Sequence, residues 1–148
     1  MQFTTAIISL LALAGSSLAV PTRRTQALEL HDFSVQKIAN TTDGTIKFTI
    51  TDPNTGLGDS CDLLWTPENS PGLFPMTPCI GRKYEFSFRY GIGNIENFML
   101  AVKPTNGTQT GYTMVDADAK NSHYVCKKNP TPALAEQCKW EGVLSIDL

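Results

Sequence analysis

The sequence predicts an all-β domain, an antiparallel β-barrel or sandwich stapled by two disulfides, on three observations. Apolar residues recur with a period of two in several short runs, turn-forming clusters separate those runs, and four cysteines, Cys61, Cys79, Cys126 and Cys138, stand in the body of the chain. A run with every second residue apolar presents one face to a core and one to water, as antiparallel sheets allow.

The first strand is expected from about Leu28 to Ile38. Leu28 and Leu30 share one parity while Phe33 and Val35 share the other, so a bulge or bend must fall between them. Ile46, Phe48 and Ile50 alternate with Lys47 and Thr49. Tyr84, Phe86, Phe88 and Tyr90 alternate with Lys83, Glu85, Ser87 and Arg89. Phe98, Leu100 and Val102 form a third series, whose other face is also apolar through Met99 and Ala101. A strand from about Gly111 to Val115 follows. Trp140, Leu144, Ile146 and Leu148 share a parity at the end of the chain.

Turn chemistry falls between these runs. Asp52-Pro53-Asn54-Thr55-Gly56 is one signal, Gly91-Ile92-Gly93-Asn94 sits where two aromatic-rich strands would reverse, and Asn106-Gly107 precedes the Gly111 strand. Thr66 to Pro78, with four prolines, and Asn129 to Glu136 resist assignment; Ala133-Leu134-Ala135-Glu136 could form a single helical turn. About seven short strands with hairpin turns imply a sandwich or barrel. In either, each disulfide is expected to clamp a loop to a strand end.

The chain of 148 residues allows one domain behind a leader. Residues 1–19 read as a signal peptide: residues 1–20 carry no charged side chain, Ala6 to Ala14 is an apolar run, and Ser17-Leu18-Ala19 fits a small-x-small cleavage site. The run falls short of the roughly 20 residues that cross a bilayer. Residues 20–24, Val20-Pro21-Thr22-Arg23-Arg24, read as a short pro-segment ending in a dibasic site, which leaves 25–148 as the domain. Cleavage there removes two of 12 basic and none of 14 acidic residues, so the formal charge of −2 becomes −4. That balance lacks the positive field needed for nucleic acid or anionic membrane, and no C-terminal lipid-anchor signal is present. A secreted, extracellular product is expected.

Four cysteines in a small secreted domain read as two disulfides, with three connectivities, of which pairing of sequence neighbours is the simplest. A zinc site is disfavoured, because no C-x₂₋₄-C pair exists and both histidines stand far from the cysteines in sequence. No metal or other cofactor is expected. Calcium binding by Asp52, Asn54 and Asp59 lacks the EF-hand glycine and terminal glutamate.

Catalytic patterns also fail. Gly91-Ile92-Gly93 lacks the third glycine of a dinucleotide fingerprint. His31-Asp32 or His123 could be combined with Ser34 or Ser122, but neighbours on a strand point to opposite faces. Asp59 and Asp62 could serve as a glycosidase pair only if they converged on a cleft, about 5–9.5 Å apart. No catalytic residue is assigned. Asn40-Thr41-Thr42 and Asn106-Gly107-Thr108 are glycosylation sequons in expected turns, with Asn40 and Asn106 as acceptors. The stripe Tyr84, Phe86, Phe88, Tyr90 reads as core or barrel lining, with a small-ligand pocket or a docking face as functional alternatives.

Several segments in order resemble the fungal Alternaria major-allergen family of secreted β-barrels. They are Leu28-Glu29-Leu30-His31-Asp32-Phe33, Ile46-Lys47-Phe48-Thr49-Ile50, Cys79 leading into Tyr84-Glu85-Phe86-Ser87-Phe88, and Cys126 with Cys138 before an alternating final strand. The leader opening Met1-Gln2-Phe3-Thr4-Thr5 is similar too, and the likeness spans Leu28 to Leu148. The resemblance implies a β-barrel, disulfides Cys61–Cys79 and Cys126–Cys138, and a non-enzymatic allergen or effector that engages host extracellular (plant defence) proteins. Some relatives bind a small aromatic, flavonoid-like ligand at a dimer. This chain has no cysteine between Thr25 and Cys61 to link two copies, so a monomer or non-covalent dimer is expected, and no binding residue carries over. Three alternatives stand beside that function: a carrier of small aromatic ligands using a barrel pocket, an enzyme acting on cell-wall polymer, and a wall-associated structural protein.

Overall fold

The computed structural model describes residues 26–66 and 76–148. The expected signal peptide and pro-segment lie outside the described residues, as does most of the proline-rich stretch. Ten strands are found there: β1 Leu28–Ile38, β2 Gly44–Thr51, β3 Gly58–Trp65, β4 Thr77–Pro78, β5 Tyr84–Phe88, β6 Asn97–Pro104, β7 Gly111–Asp116, β8 Tyr124–Thr131, β9 Leu134–Trp140 and β10 Leu144–Ile146. They form two antiparallel sheets. The first runs β3-β2-β1-β9-β8 with β10 also paired to β1, and the second runs β4-β5-β6-β7. The arrangement is sandwich-like, and no ladder among the described residues closes it into a barrel. No helix among them is long and apolar enough to cross a membrane.

The parity change in β1 is a bulge, as the sequence requires. His31 pairs with Thr49 but Ser34 pairs with Lys47, so β1 spends one extra residue, and Asp32 takes a left-handed φ of 52°. The bulge lets Leu28 and Leu30 on one side of it and Phe33 and Val35 on the other all point inward, each at most 1% exposed.

The inner faces meet through aromatic rings. Phe48 of the first sheet lies 5.2 Å from Phe86 of the second, Phe33 lies 6.4 Å from Phe98, and Trp65 lies 6.0 Å from Phe88. Trp65 pairs with Gly44 across β2–β3, and its indole lies over that glycine; a Cβ there would overlap the ring. Only a residue without a side chain admits this packing.

Both disulfides form, Cys61–Cys79 and Cys126–Cys138. The first joins β3 of one sheet to the residue after β4 of the other. The second bridges two residues directly opposite each other in the β8–β9 hairpin. Neither clamps a loop to a strand end as expected, since Cys61, Cys126 and Cys138 all lie inside strands.

Three further expectations change. The helical turn at Ala133–Glu136 is absent, because β9 begins at Leu134 and pairs with β8 and β1. Pro130 is tolerated in β8 because β8 is an edge strand with a register shift after Lys128. The aromatic stripe ends at Phe88. Gly91, at φ 76°, closes a tight turn onto the Phe88 carbonyl, and Tyr90 at its tip is 73% exposed. Leu148, past the last ladder pair, is 41% exposed although Leu144 and Ile146 are buried.

Candidate functional site

Among the described residues, the outer face of the second sheet carries an exposed cluster of aromatic and sulfur-bearing side chains that the ladders bring together. Ser87, Ala101 and Tyr112 stand in register across β5, β6 and β7; on the next rung the Arg89 N–H donates to the Met99 carbonyl, and Met99 opposes Met114. Ser87 and Ala101 are small and buried, a floor on which longer side chains can lie. Above it Tyr112 is 49% and Met114 53% exposed. The Arg89 guanidinium lies 4.8 Å from the Tyr112 ring centroid and 5.7 Å from that of Tyr90. This is cation–π geometry, which holds the guanidinium plane without using its N–H donors.

The sequence hid most of this patch. Arg89 read as a polar alternate and Tyr90 as part of an inward stripe, until the Gly91 turn reversed its direction. One signal was legible: Met99 and Ala101 make the second face of β6 apolar, and Tyr112 and Met114 continue that face on β7.

A second feature is a cavity of about 470 Å³ at one end of the sandwich. Trp65, Ile92 and Ile95 supply apolar wall, and Lys37, Asp43 and Glu136 supply charge. Burial pushes the Glu136 carboxyl above its ordinary range, and a hydrogen bond and like charge from Glu96 push it further, against smaller opposing effects of Lys128 and Lys37. Its Oε1 is buried with no hydrogen-bond partner. Glu136 also lies close to the Cys126 and Cys138 sulfurs, the atoms all within 4.8 Å of one another, but those sulfurs are spent on the disulfide and offer no thiolate.

The remaining sequence candidates are separate. Asp59 and Asp62 do not converge: the Asp59 carboxylate accepts N–H bonds from Ser60, Gly81, Lys83 and Tyr84, while Asp62 is exposed. Asp52 caps its own turn, accepting from the Asn54 N–H and the Thr55 hydroxyl, and Asn54 bonds back to Gln26. No calcium shell is assembled from Asp52, Asn54 and Asp59, since the Asp52 carboxylate is engaged by its own turn and that of Asp59 by N–H groups of the β4–β5 connection.

His31 stands 3.4 Å from Glu29 on β1. His123 lies beside Trp140, at 6.2 Å between centroids, on a smaller cavity of about 270 Å³ that also touches Ser122. The Ser122 hydroxyl donates to the Asp116 carbonyl and accepts from the Tyr124 N–H, so it is not hydrogen-bonded to His123. Ser34 sits within β1, paired with Lys47 and Lys139. Asn40 is exposed in the β1–β2 turn at φ 61°, and Asn106 is exposed in the β6–β7 turn, so both sequon side chains are accessible.

No family model, curated protein or solved structure matches this chain.

Proposed function

We propose that this chain is a secreted, non-enzymatic recognition protein, allergen- or effector-like and of fungal type, that binds an extracellular host protein through the outer face of its second sheet. The observation that carries this reading is the exposure of Tyr90, Tyr112 and Met114 around Arg89 on a hydrogen-bonded sheet. Tyr, Met and Arg are the residue types enriched where proteins dock, and Tyr and Arg dominate binding energy there. Disulfides belong to oxidising compartments, and the cross-linked framework gives this face a fixed shape in advance of binding. The ordered resemblance to secreted fungal allergens supports a plant defence protein as the kind of host partner.

The test is retention of proteins from plant apoplastic fluid on the immobilised, oxidised chain, followed by direct titration of each purified candidate. A genuine partner binds at least tenfold more weakly to the Tyr90→Ala/Tyr112→Ala variant and normally to Asp62→Asn on the first sheet. Equal retention by a reduced, unfolded control overturns the reading.

The cavity at the sandwich end supports a second reading, a carrier of small aromatic ligands. Its volume of about 470 Å³ lies within the range of about 300–1,000 Å³ usual for ligand sites, and Trp65 stands on its wall. Flavonol titration should then quench fluorescence in the parent chain more than in Trp65→Phe. Unchanged emission at saturating flavonol removes this reading.

A further inference from the structure

We infer that Arg89 is a carboxylate anchor, and that the partner of the outer face presents an acidic segment to it; this rests on the reading of that face as a docking surface. Arg89 is exposed, yet its guanidinium is positioned by Tyr112 and Tyr90. It makes no ion pair and no side-chain hydrogen bond among the described residues, where Lys128 pairs with Glu96 and His31 stands beside Glu29. The acids of that face do not pair with the guanidinium: Glu85, opposite Lys103 in register, and Asp116, whose carboxylate accepts from the Asp118 N–H, make no ion pair with Arg89. A planar cation over two rings, its edge donors without a protein partner among the described residues, is arranged for a bidentate carboxylate.

The alternatives fit less well. A phosphate backbone is held by several cations at once, whereas this face offers Arg89 and, opposite the acidic Glu85, Lys103, in a chain of net charge −2. That net charge also means the acidic segment is not drawn in from a distance. Pairing with Arg89 acts at contact, within a Debye length of about 8 Å, and selects the partner instead of accelerating its arrival. The flanking Tyr90, Tyr112 and Met114 call for apolar residues beside the carboxylate. A protein segment mixing Asp or Glu with apolar side chains satisfies both demands.

The experiment pans a phage-displayed peptide library against the native, oxidised chain and measures the selected sequences as synthetic peptides. Selected peptides should carry Asp or Glu beside apolar residues. Replacing that acid by its amide should weaken binding at least tenfold, and so should Arg89→Lys, which keeps the charge and loses the planar fork. Neutral peptides that bind Arg89→Ala normally but fail on Tyr90→Ala/Tyr112→Ala sink the carboxylate anchor while leaving the docking face intact. Absence of selected peptides, or binding indifferent to the amide exchange and to Arg89→Lys, Arg89→Ala and Tyr90→Ala/Tyr112→Ala alike, removes both claims. Self-association of the parent chain in sedimentation, abolished by Arg89→Ala, replaces the acidic partner with a second copy and overturns the inference.

Discussion

The Tyr124 hydroxyl donates to the carbonyl of Ile95 at 2.8 Å inside the protein, tying β8 of the first sheet to the loop that leads into β6 of the second. Burial, with smaller effects from the charges of Glu136 and Glu96, pushes the phenol well above its ordinary range, so the proton stays on it throughout the working range of pH. Tyr124→Phe keeps the ring against Phe33, Phe98 and Trp140 and strands the Ile95 carbonyl. The expected cost is about 1–3 kcal/mol, because a buried acceptor loses its partner without regaining water. Urea unfolding should show a lower midpoint at unchanged slope; an unchanged midpoint would mean that the carbonyl finds water.

Asp59 gives acid sensitivity of one sign. Burial works against its charge, but four backbone N–H donors outweigh burial and hold the carboxyl below its ordinary value of 3.8. The unfolded chain therefore takes up this proton at a higher pH than the folded chain does. The stabilisation is complete above the ordinary value and drains away as pH falls through the folded one. Asp59→Asn places an amide N–H₂ against donors and should lower stability at pH 7. Stability should also become less dependent on pH below about 4 than in the parent chain. Parallel pH profiles of the two proteins would refute this assignment.

Glu136 acts in the opposite direction. Burial, then the hydrogen bond and charge of Glu96, raise its carboxyl above the ordinary 4.5. Below that value both folded and unfolded chains carry the proton and nothing is lost. As pH rises through it, the unfolded chain gives up the proton first, and stability falls until the folded carboxyl ionises too. Glu136→Gln removes the burden and should raise the urea midpoint at pH 7 while leaving it unchanged near pH 3.5. A lower midpoint at pH 7 would show that Lys128 and Lys37 outweigh burial.

Both sequons sit on exposed turns, so export from a glycosylating host should give a product that shifts on glycosidase treatment. Asn40→Gln and Asn106→Gln should each remove one glycan, read by mass spectrometry. An Asn40 glycan would stand on the turn that contributes Asp43 to the cavity wall, whereas Asn106 occupies a different turn, in the second sheet. Flavonol quenching, if present, should therefore respond to glycan at Asn40 alone.

Where a strand buries one face only, its sequence shows it. The parity change around Asp32 foretold the β1 bulge, and Ile46-Phe48-Ile50 foretold β2 with its inward face. In Gly58–Trp65 the rhythm is masked: Cys61, Leu63 and Trp65 face the core, but Leu64 is apolar and exposed on the other side, and Asp59 and Cys61 serve ties to the other sheet. Ala133-Leu134-Ala135-Glu136 has the composition of a helix, and pairing across β8 and β1 overrode that preference. The docking patch was harder still. Arg89, Tyr90 and Tyr112 meet only because one turn ejects Tyr90 and one ladder brings β7 beside β6. Such coincidence across strands has no local signature.

The two disulfides should differ in their access to reductant. Thiol–disulfide exchange requires a thiolate to reach a sulfur in line. Cys61 and Cys79 are 0% and 2% exposed, and Cys138 is 0% exposed, whereas Cys126 is partly exposed on the edge strand β8. Mild reductant under native conditions should therefore open Cys126–Cys138 first, and alkylation with peptide mapping should find Cys126 and Cys138 modified before Cys61 and Cys79. Loss of that cross-link, which closes a separation of 12 residues, should cost about 3 kcal/mol through the larger freedom of the unfolded chain. The docking face lies on the other sheet and should keep its affinity at this stage. Modification of Cys61 and Cys79 first would mean that the β3 edge opens more readily than the β8–β9 hairpin, and that the tie between the sheets is the weaker of the two.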